Sequence, residues 1–443
     1  MNSGSYAEVS SRIRRKAYHR VILPLFVTSV IAYLDRVNLS YAALTMNQDL
    51  GFSSEVFGLG AGVFFAGYVL FEIPGALIAE KYSPKWWLAR IMFSWGIVSV
   101  LLAFITKPWE FYLLRFLLGA AEASLYPVLY ASCIPRWFDP ADRPKAIALL
   151  LTSLQFSSVI GAPLAGWLVG LEFLGMRGWQ TLFILEALPA IAFAFVLVRY
   201  LPDSPREASW LNEEEKHFLE HRYRREILAK NSVRAYTLGQ ALKDREVIKL
   251  CAAYFLWITG FWGFGYWMPT ALKAVSGWSN LAVGWMIVLP MCFSMAAMLW
   301  VGNHSSKTGE KRWHGATGLF LAALALVGGT TTGQPLLAFL FLCIVAVGVY
   351  APFGVWWSYP TTFLSGTAAA GAIGLINSFG NVGGFVGPYL MGFFKERTGS
   401  YTAGWLYLAG SLAVSGWLML TLDRTEAGPR GESLNNAARP ASD

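Results

Sequence analysis

Charge is scarce in this sequence. Asp, Glu, Lys and Arg supply 14% of the 443 residues, against about 25% in a soluble globular domain. Paired cysteines are missing as well. Cys133, Cys251, Cys292 and Cys343 lie scattered in apolar stretches, which leaves them as small core hydrophobes and gives no basis for a disulfide framework or a zinc site. There is no Walker motif, no histidine-rich metal spacing and no nucleophile beside a base. ATP-driven pumping and hydrolysis therefore lack support, and no catalytic residue, metal or cofactor is expected. Short alternating segments, the mark of a membrane β-barrel, do not occur. No small-residue cleavage site precedes Val21, so the first apolar segment reads as a retained helix.

Long apolar runs fill the space. Hydrophobic residues make up 55% of the chain and aromatic residues 15%. Twelve segments, near 21–46, 56–79, 86–105, 109–134, 146–170, 179–201, 248–272, 281–301, 314–330, 335–364, 367–394 and 402–422, are long and apolar enough to be membrane helices. The net charge of +8 invites a nucleic-acid reading, but its placement describes topology instead. With the N-terminus inside, 28 of the 35 Lys and Arg belong to inner segments and five (Lys107, Arg177, Lys273, Lys395, Arg397) to outer loops. That bias predicts both termini in the cytoplasm. Contact with anionic lipid is a secondary role for the same charge, and no nucleic-acid partner is expected. Lys395 and Arg397 run against the pattern.

Six spans, a polar stretch and six more spans divide the chain. The expected organisation is an N-terminal tail (1–20), a six-helix bundle (21–201), a linker (202–247), a second six-helix bundle (248–422) and a C-terminal tail (423–443). Within the linker, "LNEEEKHFLEHRYRREIL" predicts an amphipathic helix that Asn212 and Glu215 start as a capping box. Its expected role is a tether along the cytoplasmic face, with a partner-binding helix as the alternative. An internal echo supports duplicated halves: "GALIAEKYSPKWWLAR" from Gly75 and "GNHSSKTGEKRWHGAT" from Gly302 each join a span-end Gly, a short basic turn and a Trp.

Those turns resemble the loop motif of the major facilitator superfamily, with Glu80 where Asp is commoner and Ser306 where the second copy would carry an acid. The fold class implied is an all-α membrane protein, twelve helices in two pseudo-symmetric bundles. "YLDRVNLSYA" (33–42), "RFLLGAAEASLYPVLYASCIPRWFDPADRPKA" (115–146) and "LPDSPREASWLNEEEK" (201–216) further resemble the anion:cation symporter branch, which includes bacterial carriers of sugar acids, tartrate, phthalate and hydroxyphenylacetate. The resemblance implies a monomeric inner-membrane carrier, with gating roles for Gly75, Glu80, Lys81, Arg136 and Arg143.

Charge within the spans is the main functional signal. Asp35 lies 14 residues from both Val21 and Asp49, ~21 Å from either end of the first span and so near the midplane. An ionised side chain there costs a few kcal/mol and should face a cavity or a partner. Arg115 and Glu122 of the fourth span are seven residues apart and share a face. Two acids and two guanidinium groups can satisfy one another as a packing network. They can also bind an anion, because an Arg fork holds a carboxylate through two parallel hydrogen bonds. The family resemblance assigns the carboxylate to Arg36, protons to Asp35 and Glu122, and to Arg115 the orienting of Glu122, with direct substrate contact as a second role.

Tyr68, Gln155, Tyr266, Trp357 and Asn377 are hydrogen-bonding side chains well inside apolar runs, suited to a ligand cleft or to gluing helices together. The resemblance adds substrate contact for Tyr68 and Asn377. Gly263, Gly265, Pro269, Pro352, Gly354 and Pro360 should bend the seventh and tenth spans. The expected function is import of a small organic carboxylate with protons: a sugar acid, a hydroxy acid such as tartrate, or an aromatic acid. No Arg or Lys lies between Lys249, at the start of the seventh span, and Lys273, which favours a monocarboxylate. An uncoupled facilitator or exchanger, and a membrane enzyme or sensor, are the alternatives.

Overall fold

The computed structural model describes residues 3–139, 142–173, 175–231, 244–357 and 366–422. The C-terminal tail, linker residues 232–243 and the end of the tenth segment with Pro360 lie outside the described residues.

The architecture is all-helical. The first half has spans at Leu23–Leu50, Ser54–Lys81, Pro84–Leu102, a fourth beginning at Pro108–Glu122, then Arg143–Leu168 and Gly178–Tyr200. The second half has Arg245–Ser276, Asn280–Thr308, Arg312–Thr330, a tenth beginning at Pro335–Tyr350, then Gly366–Thr398 and Thr402–Leu420. Local chemistry sets the ends. Ser53, Ser83, Asp244 and Ser279 accept hydrogen bonds from the first-turn amides of the second, third, seventh and eighth spans, satisfying donors that a helix start leaves free. Residues 1–20, expected as a tail, are helical from Ser3 and run through a π-turn at Tyr18–Ile22 into the first span. Val9, Ile13 and Ala17 of that segment are buried, and Lys16 pairs with Glu215 at 2.7 Å. Asn212 and Glu215 form the reciprocal cap at 3.0 and 2.8 Å, so one carboxylate starts the linker helix Glu213–Asn231 and anchors the N-terminal helix.

The fourth span is not the continuous helix its sequence suggests. It stops at Glu122, and Ser124 has φ 71°, the left-handed region, a strained conformation for a residue other than glycine. Short turns then lead through a π-helix at Val128–Cys133 to Trp137. Trp87 donates to Ser124 Oγ at 2.9 Å, and Arg90 donates to the Ala121 carbonyl at 3.2 Å near the break. Gly75 owes its identity to this kink, because a Cβ there would stand 2.4 Å from Ser124 Oγ.

Three sequence stretches that carried the family resemblance meet at the terminal side of the first half. Glu80 lies 3.9 Å from Arg136 and accepts from Tyr223 at 3.2 Å. Arg136 donates to the Asp203 carbonyl at 2.8 Å, and Arg143 holds Glu226 of the linker helix at 2.5 Å. Lys81 instead lies over the Tyr82 ring at 5.3 Å. The second turn is stitched differently, by His314 between His304 at 2.6 Å and Glu310 at 2.7 Å. Lys395 and Arg397 also find a rationale: they end the eleventh span as favourable charge at a helix C-terminus, and Lys395 donates to the Gly399 carbonyl at 2.9 Å.

The two halves touch backbone to backbone on the side away from the termini. An added Cβ on Gly58 would meet Pro388 O at 2.6 Å, and one on Gly284 would meet Ala162 O at 2.4 Å. Small residues allow this approach of the second span to the eleventh and the fifth to the eighth. On the terminal side, side chains and space separate the halves.

Candidate functional site

A cavity of about 430 Å³ lies between the halves. It extends from Arg36 to Ala148, Asn303 and Trp357, which belong to the terminal-side ends of the fifth, eighth and tenth segments. Successive residues on a helix diverge by about 100°, so Asp35 and Arg36 serve different neighbours. Asp35 turns toward the third span, accepting from Ser99 Oγ at 2.6 Å and from Asn38 at 3.4 Å. Arg36 turns to the cavity and donates to Glu122, both side chains being buried. Four rings surround its guanidinium: Phe64 and Tyr68 at 5.2 Å, Tyr126 at 5.6 Å and Trp262 at 5.8 Å. Cation–π attraction holds the charge in place without using up its remaining donors.

The expected partnership of Arg115 with Glu122 does not form. Arg115 donates to the Gly60 carbonyl at 3.1 Å, the Ala61 carbonyl at 3.4 Å and the Tyr266 hydroxyl at 3.3 Å. Close packing of the second span on the fourth brings those carbonyls within reach, while Arg36 takes the carboxylate two turns away. Tyr266 in turn donates to the Arg36 carbonyl at 3.3 Å, so one hydroxyl from the second half ties together both charged spans of the first.

Of the side chains expected to contact substrate, Arg36, Tyr68, Gln155, Trp357 and Asn377 line the cavity. Tyr266 lines a separate pocket of about 40 Å³, and Arg115 lies behind the wall. Asp35 and Glu122 are buried behind it too. Sequence reading missed Tyr126, Tyr130 and Trp262, although the four-residue step from Tyr126 to Tyr130 puts both on one helical face. The Tyr130 hydroxyl and Gln155 Oε1 have no hydrogen-bond partner. Two further intramembrane acids were also missed. Glu72 accepts from Asn377 at 2.8 Å and Asn381 at 3.2 Å, joining the second span to the eleventh. Glu186 of the sixth span is buried. An acid inside each apolar run was the available signal. Among the described residues, no group of His, Cys, Asp and Glu is arranged to hold a metal ion.

Comparison with known proteins gives a consistent picture. The model of the family described as "Major Facilitator Superfamily" matches residues 25–388. A protein of Agrobacterium vitis named "Putative tartrate transporter" is 42% identical over 422 residues, covering 95% of this chain and 96% of that one. A "Quinolone resistance transporter" of Acinetobacter baumannii is 35% identical over 398 residues, 89% and 91% of the two chains. Among solved structures, the inward-open xylose transporter XylE of E. coli aligns over 94% of this chain and 99% of its own, with TM-score 0.72 and 15% identity.

Proposed function

The chain belongs to the Major Facilitator Superfamily, and we propose that this membrane transporter imports a small hydroxylated carboxylate together with protons. The observation that carries the reading is Arg36. It is the one guanidinium lining the cavity among the described residues, and its acidic partner Glu122 lies behind it. A carboxylate entering from the cavity competes with Glu122 for the same fork. When substrate takes Arg36, Glu122 loses its counter-charge and binds a proton in its place. Anion and proton then favour each other's binding, which is what symport requires thermodynamically.

The unpartnered Tyr130 hydroxyl and Gln155 oxygen, with Tyr68 and Asn377, supply polar groups for substrate hydroxyls. This favours a sugar acid or a tartrate-like hydroxy acid over a purely aromatic one, and the name of the 42% identical relative points the same way. Arg115 is taken up by backbone carbonyls and Tyr266, so it acts as a packing residue. With the termini in the cytoplasm, as the charge bias expects, the cavity opens inward and the glycine contacts close the outer side. A thermal-shift screen of the purified protein against organic acids tests the reading. Hydroxy acids should stabilise the wild type and leave Arg36→Ala unmoved; equal stabilisation of both would defeat it.

A further inference from the structure

Glu186 lies in "LFILEALPA" of the sixth span. The residue is 6% exposed, and neither carboxyl oxygen has a hydrogen-bond partner. The polar groups acting on it are Asp35 and Asn38 of the first span. Tyr41, one turn beyond Asn38, is the other titratable group that couples to it. Among the described residues, no cation from the first, third or fifth spans, which pack against the sixth, acts on it. An unpaired carboxylate in such surroundings costs several kcal/mol, and a proton is the counter-charge that fits.

Position gives this proton a direction. Glu186 is eight residues from Gly178, where the sixth span begins on the closed side, about 12 Å along the helix. Asp35 is fifteen residues from Leu50, the closed-side end of the first span, about 22 Å deep. Asn38 sits between the acids and donates to Asp35 at 3.4 Å. Asp35 Oδ2 has no partner either, and neither does Thr45 Oγ1, two turns from Asn38 toward the closed side.

We propose that Glu186 is a further proton-binding site, loaded from the closed side, which passes its proton to Asp35. The Glu186 carboxyl releases one proton to the Asp35 carboxylate and stays ionised until water on the closed side reloads it. The proposal rests on the proton-coupled reading above. Its test uses the full chain in proteoliposomes, with the acid identified by the thermal-shift screen. Glu186→Gln should keep substrate affinity within about threefold and keep exchange of labelled for unlabelled substrate. It should lose at least about tenfold in uptake driven by a proton gradient, a change of ~1.4 kcal/mol, and Glu186→Asp should recover most of that loss. A wild-type pH profile in Glu186→Gln overturns the proposal, as does loss of binding in both variants. Infrared difference spectra across a pH titration give an independent readout: a protonated-carboxyl band absent from Glu186→Gln supports the site, and identical spectra overturn it. If wild-type uptake ignores the proton gradient, the symport reading fails, and the infrared band alone decides whether Glu186 binds a proton.

Discussion

The two halves share an architecture but divide the chemistry. Among the described residues of the spans, every buried charged side chain belongs to the first half: Asp35, Arg36, Glu72, Arg115, Glu122 and Glu186. The second half faces them with Trp262, Tyr266, Trp357, Asn377 and Asn381, which are aromatic or neutral. Burying a charge is costly unless it keeps its partners, so grouping the charges in one bundle lets the halves move apart while most of those partners stay together. Glu72, held by two asparagines across the gap, and Arg115, bonded to Tyr266, are buried charges with partners in the second half, and the Tyr33 and Tyr350 hydroxyls also meet across it at 3.3 Å. On the proposed reading, protons and anion charge belong to one bundle, while the other shapes the cleft.

Four substitutions would break or sharpen that division. The largest effect is expected from Arg36→Ala, because truncating one member of a buried charge pair costs about 2–5 kcal/mol; binding by calorimetry should fall beyond detection. Glu122→Gln should hold affinity within about threefold, since it leaves Arg36 to the substrate, while abolishing gradient-driven accumulation. Gly58→Val adds bulk 2.6 Å from the Pro388 carbonyl, and overpacking of this kind costs about 1–3 kcal/mol. Labelling of cysteines introduced on the closed side should increase accordingly. The smallest effect belongs to Tyr266→Phe, which removes two cross-half hydrogen bonds at about 0.5–1.5 kcal/mol each. Its affinity should shift by up to about tenfold while the pH profile of uptake stays that of the wild type. A changed pH profile in this variant would mean that the halves are not divided as described.

Much of this was legible in the sequence because a bilayer permits few solutions. Helix after helix follows from apolar length alone, and the Asn212–Glu215 cap, the Gly75 turn and the midplane acid at Asp35 could each be read from local chemistry. Partner choice could not. Arg115 and Glu122 share a helical face, yet the chain breaks at Ser124 and Arg36 of another span reaches the carboxylate. Spacing along one helix says nothing about which neighbour comes closer. Glu72 and Glu186 were visible as acids in apolar runs, but their contrasting surroundings, two asparagine donors at 2.8 and 3.2 Å for one and two carboxyl oxygens without a hydrogen bond for the other, depend on how the spans pack. The placing of Tyr266 beneath the cavity likewise depends on the tilt of the seventh span against the first.

The most direct test is uptake of the acid found in the binding screen into proteoliposomes, measured with and without an inward proton gradient, for wild type and Glu122→Gln. Exchange across the same membranes serves as the control for folding. The wild type should accumulate substrate only with the gradient, and Glu122→Gln should exchange substrate normally but fail to accumulate it. Gradient-driven accumulation by Glu122→Gln at the wild-type level would contradict the account.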